Sequence, residues 1–226
     1  MKLYRYLSGF GMYRPSPSSW EGMRWLHKEK IWHKIEHLWQ KYKRRWKGPS
    51  VKIFIFPKNP PGIFANRGED LKSGISFPGQ IILFLCPVGD EKELEALFVH
   101  EYHHVCRMAA QKKSIKQYTL LDSLVLEGTA EYTVGKLVGS EYRAAWCRSY
   151  GKEILESCWR SFIKDNLTIT RKNKLHDDIL FGRGPFPKLI GYAAGYHLVE
   201  SFFKTRRYTE SLSFSLPSEI FLENAF

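Results

Sequence analysis

Residues 90–110 read DEKELEALFVHEYHHVCRMAA. Asp90 offers a helix cap, Glu91 and Glu93 put negative charge in the first turn, and Leu94, Leu97, Phe98 and Val105 recur on one face. The stretch therefore predicts an amphipathic helix that reaches about Ala110. Inside it stands His100-Glu101-Tyr102-His103-His104, a His-Glu-x-x-His pattern. Positions four apart on a helix lie about 40° from each other around the axis and about 6 Å along it, so His100 and His104 project side by side. Two imidazoles so placed can share one tetrahedral Zn²⁺. Glu101, one step round from His100, flanks the ion and can take a proton from a water activated there. His103 faces elsewhere. With 8 His and about 7% Glu in 226 residues, random placement would produce the pattern only about 0.02 times.

Catalytic zinc wants a third protein ligand and an open position. A helix expected over 120–138 supplies a candidate in Leu126-Glu127-Gly128-Thr129-Ala130-Glu131-Tyr132. Glu127 lies 23 residues beyond His104, enough to finish one helix, cross the 112–116 loop and return beside the metal. Its neighbours Leu124, Val125, Leu126, Ala130 and Val134 are apolar, so a carboxylate there is costly unless it is paired or coordinating. Gly128 is expected to let this helix approach the helix of the histidines. Glu131, one turn after Glu127, reads either as the acceptor for the free N–H of a ligating His or as a solvated charge.

The rest of the chain frames these two helices. Val51 to Phe56 is a β-branched and aromatic strand closed by Pro57; 58–74 is a loop; 75–86 holds one or two strands around Pro78-Gly79. The strand at 81–85 is a candidate edge along which an extended peptide could align. Helix is expected within 140–164, a polar stretch over 165–187, and a last apolar helix over 189–204. His176 with Asp177 and Asp178 reads as a solvated polar cluster. On the last helix, Gly191 and Gly195 have the spacing of close helix packing, with Tyr192, Tyr196 and His197 beside them. These elements make an α+β protein, with a small sheet flanking the motif helix and a mostly helical remainder.

Hydrophobic residues at 43% and charged residues at 26% exclude wholesale disorder and low-complexity architectures. No apolar run approaches the roughly 18 residues of a transmembrane helix, and 1–20 lacks a signal-type apolar core. Scattered cysteines (Cys86, Cys106, Cys147, Cys158) fit reduced thiols, so a cytoplasmic location is expected. Of the net charge of +12, the first 48 residues carry twelve lysines and arginines against three glutamates, or +9. One helix is expected over 18–47, capped by Ser18 or Ser19, with Trp25, Trp32, Trp39 and Trp46 at a spacing of seven. The tryptophans could pack this helix on the body, lie at a lipid interface, or stack on nucleic acid. The chain thus divides into a basic, Trp-rich amphipathic helical segment, 1–48, and a catalytic domain, 49–226.

The His-Glu-x-x-His helix followed by LEGTAEY resembles the gluzincin class of zinc metallopeptidases. Together with the late GYAAGYHLVE helix, it is most similar to the YjaZ-like family of zinc-dependent proteases. The resemblance covers about 75–226 and leaves out the first 48 residues. It implies a zincin-like fold, with a small mixed sheet packed on the active-site helix and a mostly helical C-terminal lobe. It also implies Zn²⁺ on His100, His104 and Glu127, Glu101 as the catalytic base, and a Tyr or His across the cleft, for which Tyr196 is the candidate. Two positions depart from thermolysin-like members: Glu131 stands where Asp is usual, and Leu126 where Asn precedes the ligand Glu. The expected activity is hydrolysis of a peptide or protein through a metal-activated water. An anionic membrane or acidic partner could meet 18–47, with nucleic acid less favoured. The alternative is a basic nucleic-acid- or membrane-binding module with a non-catalytic metal site. Ligand type separates the two, since structural zinc is normally closed by four Cys or His ligands.

Overall fold

The computed structural model describes residues 2–59 and 71–225, so most of the loop expected over 58–74 lies outside the described residues. The architecture is α+β, mostly helical, with a small three-stranded sheet. Two compact units divide the chain, residues 1–106 and 107–226, and the boundary between them falls inside the motif helix.

In the first unit, the single helix expected over 18–47 is two, α2 (Pro17–Lys28) and α3 (Ile31–Trp46), preceded by a short α1 (Lys2–Ser8). The physical reason lies in the phase of the apolar stripe. Leu26 and Ile31, five residues apart and both buried, would point about 140° apart on a straight helix. A left-handed residue at Lys30 (φ 51) breaks the rod and lets both face inward. The cap of α2 is Ser16, which forms a reciprocal capping box with Ser19 ahead of Pro17 at the first helical position.

Strands β1 (Lys52–Pro57), β2 (Lys72–Phe77) and β3 (Gln80–Leu85) form a mixed sheet in the order β1-β3-β2. β1 runs parallel to β3, and β2 runs antiparallel to it across the Pro78-Gly79 turn, where Gly79 takes φ +74. β3 is therefore the central strand, with ladder partners on both sides. It is not the free edge that the sequence suggested, because its run from Ile81 to Leu85 is buried on both faces. Leu7 of α1 joins Ile82 and Phe84 in a small core on this sheet.

The motif helix is α4 (Glu91–Gln111), with Asp90 Oδ1 accepting the Lys92 N–H at 2.9 Å. An aromatic ladder fixes α3 to it. Trp46 stacks on Tyr102 (centroids 5.6 Å apart, planes 11° apart), Tyr102 on Phe98 (5.5 Å), and the Tyr42 hydroxyl donates to Glu95 at 2.8 Å. Of the heptad tryptophans, Trp46 thus packs on the body while Trp32 is exposed.

In the second unit, α5 (Leu120–Leu137) starts on a capping box between Thr119 and Asp122 and lies against α8 (Ile190–Lys204). Their backbones touch: a Cβ on Gly128 would stand 2.2 Å from the Gly195 carbonyl oxygen, and one on Gly195 would stand 2.0 Å from that of Leu124. Around this seat pack Leu121, Leu124, Val125, Ala194, Leu198 and Phe202. Between α5 and α8 come α6 (Lys152–Cys158) and α7 (Lys174–Phe181), the latter inside the stretch read only as polar. α8 is not the last helix, since α9 (Glu210–Ser215) follows it. Arg107, in the last turn of α4 and 2% exposed, donates to the carbonyls of Ser213 and Leu216 and so ties down the segment after α8.

Because the Gly195 seat has no room for a methyl group, Gly195→Ala is expected to lower the unfolding free energy by about 3 kcal/mol. Denaturant unfolding against Gly89→Ala, where an added Cβ meets nothing within 4 Å, measures it.

Candidate metal centre

α4 presents His100 and His104 side by side, with ring centroids 4.5 Å apart and planes at 81°. His104 is buried and His100 half-buried. His103 points to another side, its ring edge-on to Trp46 at 6.2 Å.

Glu101 is 5% exposed. It faces β2, where Ser76 Oγ stands 2.6 Å from Glu101 Oε2 and 2.9 Å from the Glu101 carbonyl oxygen, sharing its one proton between them. Two residues earlier on the same strand face, Gly74 leaves the space that the glutamate fills: a Cβ there would lie 2.5 Å from both Cδ and Oε1 of Glu101. A hydrogen-bonded and crowded carboxylate of this kind is held in one orientation.

Glu127, half-buried on α5, is the third member of the group. His100, His104 and Glu127 each offer one donor atom, and these atoms all lie within 4.8 Å of one another. Two imidazole nitrogens and a carboxylate oxygen are a donor set that suits zinc, and three protein ligands leave a position for solvent or substrate. The residues fit a zinc ion by their chemistry. Gly128 serves Glu127 differently from the expectation: its close approach is to Gly195 of α8.

The Glu131 carboxylate is 3% exposed and accepts the backbone N–H of Ala144, so it is a buried acceptor rather than a solvated charge. Tyr196 is 4% exposed, with its hydroxyl held by Arg143 and donating to Glu200 at 3.1 Å. Burial pushes its phenol pKa well above the ordinary value, Glu200 adds to that, and Arg143 opposes it. The hydroxyl therefore keeps its proton across the accessible pH range. His176 departs from the expectation of a solvated cluster. It is fully buried, its Nε2 lies 3.0 Å from Ser123 Oγ and its Nδ1 2.8 Å from Asp177 Oδ1, which joins α7 to α5. Burial lowers its pKa although Asp177 works the other way, so the ring is neutral near pH 7.

Sequence reading missed Gly74 and Ser76 behind Glu101, and Arg143 and Glu200 around Tyr196. The first pair had a signal, two small residues alternating on one face of a strand in the hairpin that precedes the motif helix. Of the second pair, Glu200 had a signal, one helical turn after Tyr196 on the same helix, whereas Arg143 had none, because it lies in an irregular segment.

The fold and the donor set define an α+β protein with a two-imidazole, one-carboxylate cluster. The chain belongs to the family described as "Predicted Zn-dependent protease (DUF2268)", whose match spans residues 31–223. It is 32% identical over 218 residues to the uncharacterized protein YjaZ of Bacillus subtilis (strain 168), covering 96% of this chain and 84% of that protein. It is 25% identical over 170 residues to the uncharacterized protein YjfC of the same organism, covering 71% and 56% respectively. No solved structure matches. The family match begins where α3 begins, well before the residue near 75 that the motifs alone marked, and α3 carries the Tyr42 and Trp46 contacts to α4.

Tyr196→Phe removes the hydroxyl that Arg143 and Glu200 share. It is expected to cost about 2 kcal/mol of unfolding free energy, read from denaturant midpoints; an unchanged midpoint would show that the trio carries no structural weight.

Proposed function

We propose that this chain is a zinc-dependent peptidase of the gluzincin type with a zincin-like fold, in which Zn²⁺ sits on His100, His104 and Glu127 and Glu101 is the general base. The observation that carries the reading is the convergence of the three donor atoms within 4.8 Å, with a separate, oriented carboxylate on the same helix as the two histidines. The family's description as a Zn-dependent protease supports it. A zinc ion held there would supply Lewis acidity to the scissile carbonyl and to the attacking water.

The chain's own residues do the rest. Glu101 takes the proton of the attacking water and delivers it to the leaving amine, and Ser76 and Gly74 keep its carboxylate aimed while that proton moves. Glu131 buttresses a ligating imidazole. Tyr196 stabilises the developing oxyanion by exchanging Glu200 for the substrate oxygen, with Arg143 orienting the hydroxyl. β2, one of the two outer strands among the described residues and the one that faces Glu101, takes over from β3 as the strand beside which an extended peptide or protein segment lies. Four free thiols accord with action in the cytoplasm. A binding module with a purely structural zinc is the weaker reading, because such sites are normally closed by four Cys or His ligands and this group has two histidines and a glutamate.

Metal analysis paired with hydrolysis of casein or a peptide library tests the assignment. Glu101→Gln is expected to keep stoichiometric zinc while turnover falls by about 10²- to 10⁴-fold, and Glu127→Ala to weaken zinc retention. Stoichiometric zinc with full peptidase activity in Glu101→Gln would overturn the role of the base. Gly74→Ala, whose methyl overlaps the Glu101 carboxyl group, is expected to lower kcat at least about tenfold without changing metal content, as a misplaced catalytic group does.

A further inference from the structure

We infer that α2 and the start of α3 present a binding face for an anionic lipid surface. Trp20 is 69% exposed, Met23 38% and Trp32 39%, an unusual exposure for such large apolar side chains. They are not scattered. On α2, Trp20, Met23, Arg24 and His27 follow the i, i+3, i+4, i+7 spacing of a single helical face, and the His27 ring meets Trp32 edge-on at 6.4 Å, which carries the stripe into α3. The opposite side of α2 is the one that packs: Ser19 and Leu26 are buried there, and Gly22 lies against Pro57. The exposed stripe is thus the face left over after folding, not a loosely docked core face.

The chemistry around the stripe selects the occupant. Arg24 and Lys28 flank it on α2, Lys30 follows at the break, and all three are exposed. The first 48 residues hold a net charge of +9. α1 adds exposed Leu3, Tyr4 and Tyr6 around Arg5. The recess beside Trp20 is an open one, lined by Pro15, Ser16, Pro17, Glu21 and Arg24. Tryptophan with basic neighbours on a short surface helix is the composition that seats indole rings at headgroup depth while the cations meet anionic phosphates. No helix among the described residues is long and apolar enough to cross a membrane, so the mode inferred is peripheral binding in the interface. The inference does not depend on the metal centre, and Glu101→Gln should bind vesicles as the parent chain does.

Co-sedimentation of the full chain with phosphatidylcholine vesicles, with and without about one third phosphatidylglycerol, tests it. Binding is expected to the anionic vesicles, to be far weaker to phosphatidylcholine alone, and to fall as salt is raised. Trp20→Ser with Met23→Ser should weaken binding at least tenfold. Arg24→Gln with Lys28→Gln should weaken it about 25-fold, the equivalent of about 1 kcal/mol for each basic side chain. All four positions are exposed, and circular dichroism of each variant verifies that the fold is kept. Failure to bind anionic vesicles at low salt, equal binding to the neutral ones, parental binding by the Trp20/Met23 variant, or a gel shift with DNA in the absence of vesicle binding would each overturn the inference.

Discussion

One turn of helix between His100 and His104 is the constraint on which the rest depends. Two imidazoles can serve one ion only if the helix that carries them is straight and fixed there, since a catalytic constellation tolerates errors of about half an ångström. α4 meets that demand through its neighbours in the first unit. α3 grips it by the Trp46–Tyr102–Phe98 ladder and the Tyr42–Glu95 hydrogen bond, and β2 braces the next residue, Glu101, with a hydroxyl and a glycine-sized gap. The same helix therefore carries two imidazoles side by side and, one residue on from the first, a carboxylate whose orientation is set by β2.

Glu127 has a different support. It sits on a helix whose surroundings are apolar, where an uncompensated carboxylate would be costly. The helix that carries it is seated by the backbone contact of α5 with α8, with Gly128 and Gly195 each facing a main-chain carbonyl region. Glycine is required there by the absence of space, not by backbone conformation, since neither residue has positive φ. Aromatic and aliphatic side chains of α5 and α8 then bury the contact in the larger core.

Much of this was legible from residue pattern alone. The ends of α4 and α5 fall within a residue or two of the expected ones, because caps and apolar periodicity agree in both. Glu127 stood out as a charged residue on an apolar helix. Other features follow from contacts that periodicity does not encode. A heptad of tryptophans masked the phase shift between Leu26 and Ile31, which only a break at Lys30 can absorb. Gly128 announced a close helix neighbour without saying which one, and α8 took that place. α7 was hidden because His176, Asp177 and Asp178 dominate a short segment whose apolar members, Leu175, Ile179 and Leu180, are few. For β3 the signal was present and favoured the other conclusion: an unbroken run such as Ile81 to Leu85 belongs to a strand covered on both faces, and so to the middle of a sheet. The reach of the family into α3 had no motif to mark it, since packing residues leave no signature as specific as metal ligands do.

X-ray absorption at the zinc edge of the purified full chain tests the central claim most directly. The predicted spectrum has only nitrogen and oxygen neighbours at about 2.0–2.2 Å, with the multiple-scattering signature of two imidazoles. Sulfur neighbours at about 2.3 Å, or a protein that neither carries zinc nor takes it up, would contradict it.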